Sequence, residues 1–231
     1  MAGLCVLMQN KAFNSIRILS RRPRTCSKDF NMMKFLTAFI FLFSGVAMAI
    51  EEPKYTVESK TSEYEIRKYG PILVAETKID SDFEKAGNQA FRILAGYIFG
   101  ANKTKTKIAM TAPVNQEAVS EKIEMTAPVT QIKDKSGFVV QFTMPQKYTL
   151  DTLPVPDDSK VQLRELPGRR VAVYTYSGSW SESRYEEKLL SFKLELKKDN
   201  IKTMGEPSLA RYNSPFQLWF LRRNEIWLQV E

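Results

Sequence analysis

The sequence predicts an α+β fold in which antiparallel sheets close around a shared interior, with one flanking helix from each of two similar strand-helix-strand halves. Three observations point there. Two hairpins each lead into an amphipathic helix, further extended segments follow each helix, and one offset of 97 residues relates the two halves.

Residues 64–79 read Tyr-Glu-Ile-Arg-Lys-Tyr-Gly-Pro and then Ile-Leu-Val-Ala-Glu-Thr-Lys-Ile, which is strand, Gly-Pro turn, strand. Residues 161–176 repeat the plan. Arg67 and Arg164, Val74 and Val171, Ala75 and Ala172, and the aromatics Phe83 and Trp180 are each 97 positions apart, which suggests an internal duplication. After the first hairpin, Asp80-Ser81-Asp82 offers helix caps, apolar or small residues fall at 83, 86, 87, 90, 91, 94, 97 and 98, and Gly100 marks the exit. After the second, Ser179 and Glu182 have the spacing of a capping box, and Tyr185, Leu189, Phe192 and Leu196 make the buried stripe. Residues 107–114, 122–131 and 138–145 are expected as strands of the first half, and 208–213, 216–222 and 225–230 as strands of the second. The Pro- and Asp-containing stretch 150–159 joins the halves.

The first 49 residues read as a leader. Met33-Lys34 is a short basic start, 35–43 is apolar apart from Thr37, and 44–49 ends in Ala-Met-Ala, so cleavage is expected after Ala49. The apolar run is too short for a bilayer span, which needs about 20 residues, so no stable membrane anchor is expected once it is removed. A periplasmic or secreted location follows. The competing reading is organellar, because Arg17, Arg21, Arg22 and Arg24 with several Ser and only Asp29 acidic resemble a transit peptide. Removing 1–49 takes away seven Lys/Arg and one acid, leaving 27 basic and 25 acidic residues. The basic pI of about 9.4 is thus mostly a property of the leader and argues for no nucleic-acid partner, which needs a clustered basic face. Residues 50–231 are long enough for a single well-filled domain, expected as a monomer.

Composition also excludes chemistry. There is no histidine anywhere, and Cys5 and Cys26 both lie in the leader. A Ser-His-Asp or Cys-His mechanism is therefore impossible, zinc held by nitrogen or sulfur is excluded, and no glycine-rich phosphate loop is present. The sharpest local signal is a duplicated octapeptide, Lys-Ile-Ala-Met-Thr-Ala-Pro-Val at 107–114 and Lys-Ile-Glu-Met-Thr-Ala-Pro-Val at 122–129. Two readings stand. Either these are paired strand edges with Met in the core and Pro ending the ladder, or Met110 and Met125 line a ligand cavity with polarisable side chains.

The Lys-Ile-x-Met-Thr-Ala-Pro-Val element, Phe-Thr-Met-Pro-Gln-Lys-Tyr at 142–148, Leu-Pro-Gly-Arg-Arg-Val-Ala-Val at 166–173 and Arg-Arg-Asn-Glu-Ile-Trp-Leu at 222–228 together resemble the SOUL haem-binding family. The resemblance runs through nearly all of 55–231. It implies a distorted antiparallel β-barrel of two similar halves with two flanking helices. It also implies binding of haem or a related tetrapyrrole, through a histidine in some members and in a hydrophobic groove in others. Without histidine only the groove mode applies, and any iron ligand would be Met, Tyr or Lys. The resemblance places the tetrapyrrole against the first helix, whose face opposite the core stripe carries Lys85, Asn88, Arg92, Ala95, Gly96 and Phe99. Ala95 and Gly96 beside Phe99 make a flat apolar shelf, and Arg92 is placed to meet a propionate; the alternative is an ordinary solvent face. The family's basic propionate-holding positions correspond to Asn88 and Gly96, so that carry-over fails and Arg92 has to substitute.

The expected function is therefore transport or sequestration of haem or another tetrapyrrole by a non-enzymatic protein. The ligand-binding candidates are Asn88, Arg92, Ala95, Gly96, Phe99, Met110 and Met125. The alternative is a protein-interaction or general lipophile-binding module on the same fold. An enzyme acting through groups such as Glu225 and Tyr97 has no positive feature in its favour.

Overall fold

The computed structural model describes residues 50–104, 120–214 and 216–231. Strands β1 (Tyr55–Lys60), β2 (Glu65–Tyr69) and β3 (Ile72–Ile79) lead into helix α1 (Phe83–Ile98) and the short β4 (Asn102–Lys103). Strands β5 (Val129–Asp134), β6 (Gly137–Thr143), β7 (Val155–Pro156), β8 (Gln162–Leu166) and β9 (Arg169–Tyr176) precede helix α2 (Glu182–Lys198). Strands β10 (Thr203–Arg211) and β11 (Asn224–Val230) end the chain, with a 3-10 turn at Trp219–Leu221 between them. Nine strands form one curled antiparallel sheet in the order β1-β2-β9-β11-β10-β5-β6-β3-β8, and β4 pairs with β7 apart from it.

Among the described residues the architecture is α+β with two helices, as expected, but the ladder ends at β1 and β8 instead of closing. Two of the ladders, β2–β9 and β3–β8, share a register. In β2–β9, Glu65 pairs with Val173, Arg67 with Val171 and Tyr69 with Arg169. In β3–β8, Gln162 pairs with Glu76, Arg164 with Val74 and Leu166 with Ile72. Adding 97 to the first member of each β2–β9 pair and subtracting it from the second gives the β3–β8 pairs.

Local chemistry explains α1. The Asp82 carboxylate accepts from the Lys85 amide at 2.9 Å, satisfying one orphan donor of the first turn. Ala86, Ala90, Leu94, Tyr97 and Ile98 then pack with Ala75, Val140 and Phe142 of the sheet. The small residues at 86 and 90 bring the helix close to the strands. In α2, Phe192 and Leu196 are fully buried against Ala172, Ile226 and Leu228, with Tyr185 and Leu189 partly buried beside them. Its N-cap is Ser181 and makes no side-chain capping bond, so the box expected from Ser179 and Glu182 does not form. Period-two alternation sends Tyr69, Ile72, Val74, Val171, Val173 and Trp227 to a separate cluster.

Two expected strands differ. Residues 107–114 lie outside the described residues. Of 122–131, only 129–131 is strand, and Ile123, Ala127 and Pro128, not Met125, are the buried members of the second octapeptide. Residues 216–222 form turns, because β10 and β11 pair up to Arg211 and Asn224 and leave the intervening segment as their connection. Residues 150–159 turn as expected but also contribute β7.

Candidate ligand groove

One flank of α1 stands over the ends of the central strands and leaves a groove of about 180 Å³. The helix contributes Gly87, Asn88, Phe91 and Arg92, β5 and β6 contribute Val129, Gln131 and Val140, and Trp180, Arg211 and Asn213 complete the lining. The walls thus combine two valines, Phe91 and Trp180 with three amides and two guanidiniums, and carry no carboxylate. No lining residue is Met, Tyr or Lys. Among the described residues, no group of three or more His, Cys, Asp or Glu is placed to hold a metal ion.

Arg211 is the central polar feature. Its Nη2 donates to Gln131 Oε1 at 2.8 Å, and Gln131 Nε2 donates to the Phe83 carbonyl at 2.8 Å, which ties strand β5 to the start of α1. The guanidinium carbon lies 5.3 Å from the Trp180 ring centre and 5.9 Å from that of Phe83, within cation–π range. Among the described residues its Nε is buried without a hydrogen-bond partner. Burial, reinforced by nearby Arg222, pushes its pKa down to about 10, so it remains a cation at neutral pH. Gly87 makes room for it, since a Cβ there would lie 2.8 Å from Arg211 Nη1 and 3.0 Å from Gln131 Oε1. Trp180 is oriented from behind by Asn224, whose Oδ1 accepts from Nε1 at 2.8 Å.

The structure brings Asn88 and Arg92 together in this groove, both exposed on α1. Ala95 is buried, so it leaves the expected shelf. Gly96 is half-buried beside open space, and Phe99, at the helix C-cap, is 56% exposed. Met125 is 45% exposed and is not a groove residue, and Met110 lies outside the described residues. The residues that sequence reasoning passed over are Arg211, Gln131, Trp180 as a lining residue, and Gly87. A charge set between Leu209-Ala210 and Tyr212 was the available signal.

A larger cavity of about 440 Å³ lies between residues 51–54, the Gly70-Pro71 turn and residues 143–150. Its charged lining is Glu51, Glu52, Glu165 and Lys54, a balance that opposes an anionic guest. Elsewhere Glu225 is fully buried, and accepts from Arg67, Arg223, Tyr212 and Trp227. Tyr97 donates its hydroxyl to the Pro154 carbonyl at 2.9 Å in the core beneath α1. Both groups are engaged in holding the fold.

Residues 50–229 match the SOUL heme-binding protein family. The chain is 30% identical to mouse Heme-binding protein 2 over 187 residues, covering 78% of this chain and 86% of the relative. It is 31% identical to the human Heme-binding protein 2 over 191 residues, covering 80% and 88%. A solved structure of the EcmrR–DNA complex aligns with a TM-score of 0.50 at 11% identity, over 89% of this chain and 68% of that one, a likeness of fold alone. With a family match across almost the whole described region, the chain belongs to the SOUL heme-binding protein family.

Proposed function

We propose that this protein binds haem or a related tetrapyrrole, for transport or sequestration, with an edge of the macrocycle in the groove between α1 and β5–β6. The observation that carries this reading is Arg211, a cation with a partnerless buried Nε in a lining that has no carboxylate. A propionate accepting from that guanidinium supplies the missing partner as a charge-assisted bond, and Arg92 provides a second cation. Phe91 and Trp180 offer flat apolar contact. Family membership and the naming of its relatives as heme-binding proteins support the ligand class.

The groove is smaller than the roughly 300–1,000 Å³ of sites that enclose a drug-sized ligand. The ligand is therefore gripped at an edge, with the rest of the macrocycle lying along α1 past Gly96 and Phe99. With no imidazole in the chain and no Met, Tyr or Lys in the lining, apolar contact and ion pairing hold the guest, and the role is one of binding, not catalysis. The matched registers of the β2–β9 and β3–β8 ladders support an origin of the sheet by duplication of a strand-helix-strand half. The hydrophobic run at 35–43 and Ala47-Met48-Ala49 support removal of a leader and a periplasmic or secreted location for the single domain that follows.

Titration of the purified protein with hemin, followed by Soret absorbance, tests the reading. A saturable band shift at micromolar protein, equivalent to about 8 kcal/mol of binding, is expected. Arg92→Glu should weaken it clearly more than Lys85→Glu, because Lys85 pairs with Asp82 at 2.6 Å away from the groove lining. Absence of any saturable shift removes the tetrapyrrole. A general lipophile-binding role on the same fold, favoured by the exposed apolar turn between β10 and β11, would then stand in its place.

A further inference from the structure

The connection between β10 and β11 displays its apolar side chains outward. Phe216 is 95% and Trp219 61% exposed, and Leu218, Phe220 and Leu221 are more than half exposed beside them. Three amides of this turn are bonded within it. The Gln217 amide donates to the Ser214 carbonyl at 3.0 Å, Leu221 to Leu218 at 2.9 Å, and Arg222 to Trp219 at 3.3 Å. Such a segment can enter an apolar phase without stripping water from those amides, the main obstacle for irregular backbone in hydrocarbon. At its base the Arg222 guanidinium stacks 4.2 Å from the Trp180 ring centre while its Nε donates to the Gln217 carbonyl at 2.8 Å. Arg211 lies on the same indole, and Arg92 lines the adjoining groove.

From these features we infer that residues 216–222 dock the protein on an anionic lipid bilayer, the apolar side chains entering the interface and Arg222 at the base of the turn meeting headgroup phosphates. Tryptophan and phenylalanine favour that interfacial depth, and basic groups next to an anionic leaflet add attraction. Size argues against a protein partner: a stable interface engages about 20–30 residues a side, whereas this patch is one turn of five large apolar side chains. The inference is independent of the tetrapyrrole reading, so either can fail without the other.

The test uses the full chain with vesicles of phosphatidylcholine, with and without phosphatidylserine, including brominated-acyl lipids that quench inserted indoles. The leader is common to all variants, so differences between them report the turn. Wild type is expected to partition preferentially onto phosphatidylserine vesicles with quenched tryptophan emission. Trp219→Phe should still bind yet lose most of the quenching, because Trp227 is buried and Trp180 half-buried. Phe216→Ser, at a side chain too exposed to disturb folding, and Phe216→Ser/Phe220→Ser should lower partitioning, the double variant by about tenfold or more. Leu190→Ser/Leu194→Ser, which removes an equally exposed apolar pair from α2, should change nothing. The inference is overturned if wild type ignores the vesicles, if the Phe216 and Phe220 variants bind as well as wild type, or if quenching persists in Trp219→Phe. Sedimentation showing a dimer that the Phe216→Ser/Phe220→Ser variant abolishes, with vesicle binding unchanged, would assign the patch to a second copy instead.

Discussion

Arg67 places Nη1 3.1 Å from each oxygen of the Glu225 carboxylate, bridging β2 and β11 across the intervening strand β9. Glu225 also accepts from Tyr212 at 2.7 Å, Trp227 at 2.8 Å and Arg223 at 2.9 Å. Arg223 continues to Glu52 at 3.0 Å and Arg67 to Glu65 at 2.8 Å. This network clasps residues at both ends of the described domain, and its charges are held where hydrogen bonds offset the loss of water.

Removing one partner leaves Glu225 buried with less compensation. Arg67→Met should cost about 3 kcal/mol in urea unfolding, near the lower end for a broken buried pair because Arg223 remains. Arg67→Met combined with Glu225→Leu should recover part of that loss. An unchanged midpoint in Arg67→Met would show that Arg223 alone neutralises the carboxylate.

Alkaline pH should unfold the domain through its phenols. Burial pushes Tyr69 and Tyr176 up to about 12 and raises Tyr97 and Tyr212 as well, against an ordinary value of about 10. The folded state holds these protons more tightly than the unfolded chain does. Their contribution is therefore full below about pH 10 and falls as pH rises towards the folded values. Phenolate absorbance from the buried tyrosines should appear together with loss of circular dichroism. Their ionisation near pH 10 with the fold intact would contradict this.

Arg211 should separate stability from binding. Arg211→Met removes a cation whose Nε is unsatisfied but also the donor to Gln131 Oε1, so thermal stability is expected to fall by no more than about 2 kcal/mol. Hemin affinity should fall about tenfold or more for loss of a charge-assisted bond. Equal affinity in the variant would take Arg211 out of the site.

Gly87→Ala probes the same group from the helix side. Alanine favours the helix by about 1 kcal/mol, but its methyl would displace Arg211 and Gln131. Retained folding with hemin affinity reduced several-fold is the expected result, measured by thermal melts and Soret titration. Unaltered affinity would mean that the guanidinium can shift without consequence.

Much of the fold was legible because short-range patterns carry it. The Asp82 cap, the stripe through Leu94 and Ile98, and the Gly-Pro turn before Ile72 all act within a few residues of themselves. The segment 216–222 misled for the same reason. Phe-Gln-Leu-Trp-Phe-Leu has the composition of a buried strand, and only the pairing of Arg211 with Asn224 reveals that it spans a hairpin. Met125 misled because a flexible apolar side chain fits a core or a cavity equally well, while its neighbours Ile123 and Ala127 took the buried positions.

What the sequence determined by itself was the α+β class, the absence of any imidazole, and two helix positions of the groove, Asn88 and Arg92, a single turn apart. The other half was decided by tertiary structure. Arg211 and Gln131 are 80 positions apart and meet only because β10 pairs with β5, while Trp180 joins them from the start of α2. Helical periodicity fixes neighbours within a turn, but contacts between strands depend on sheet order and register, which no local pattern in the chain specifies.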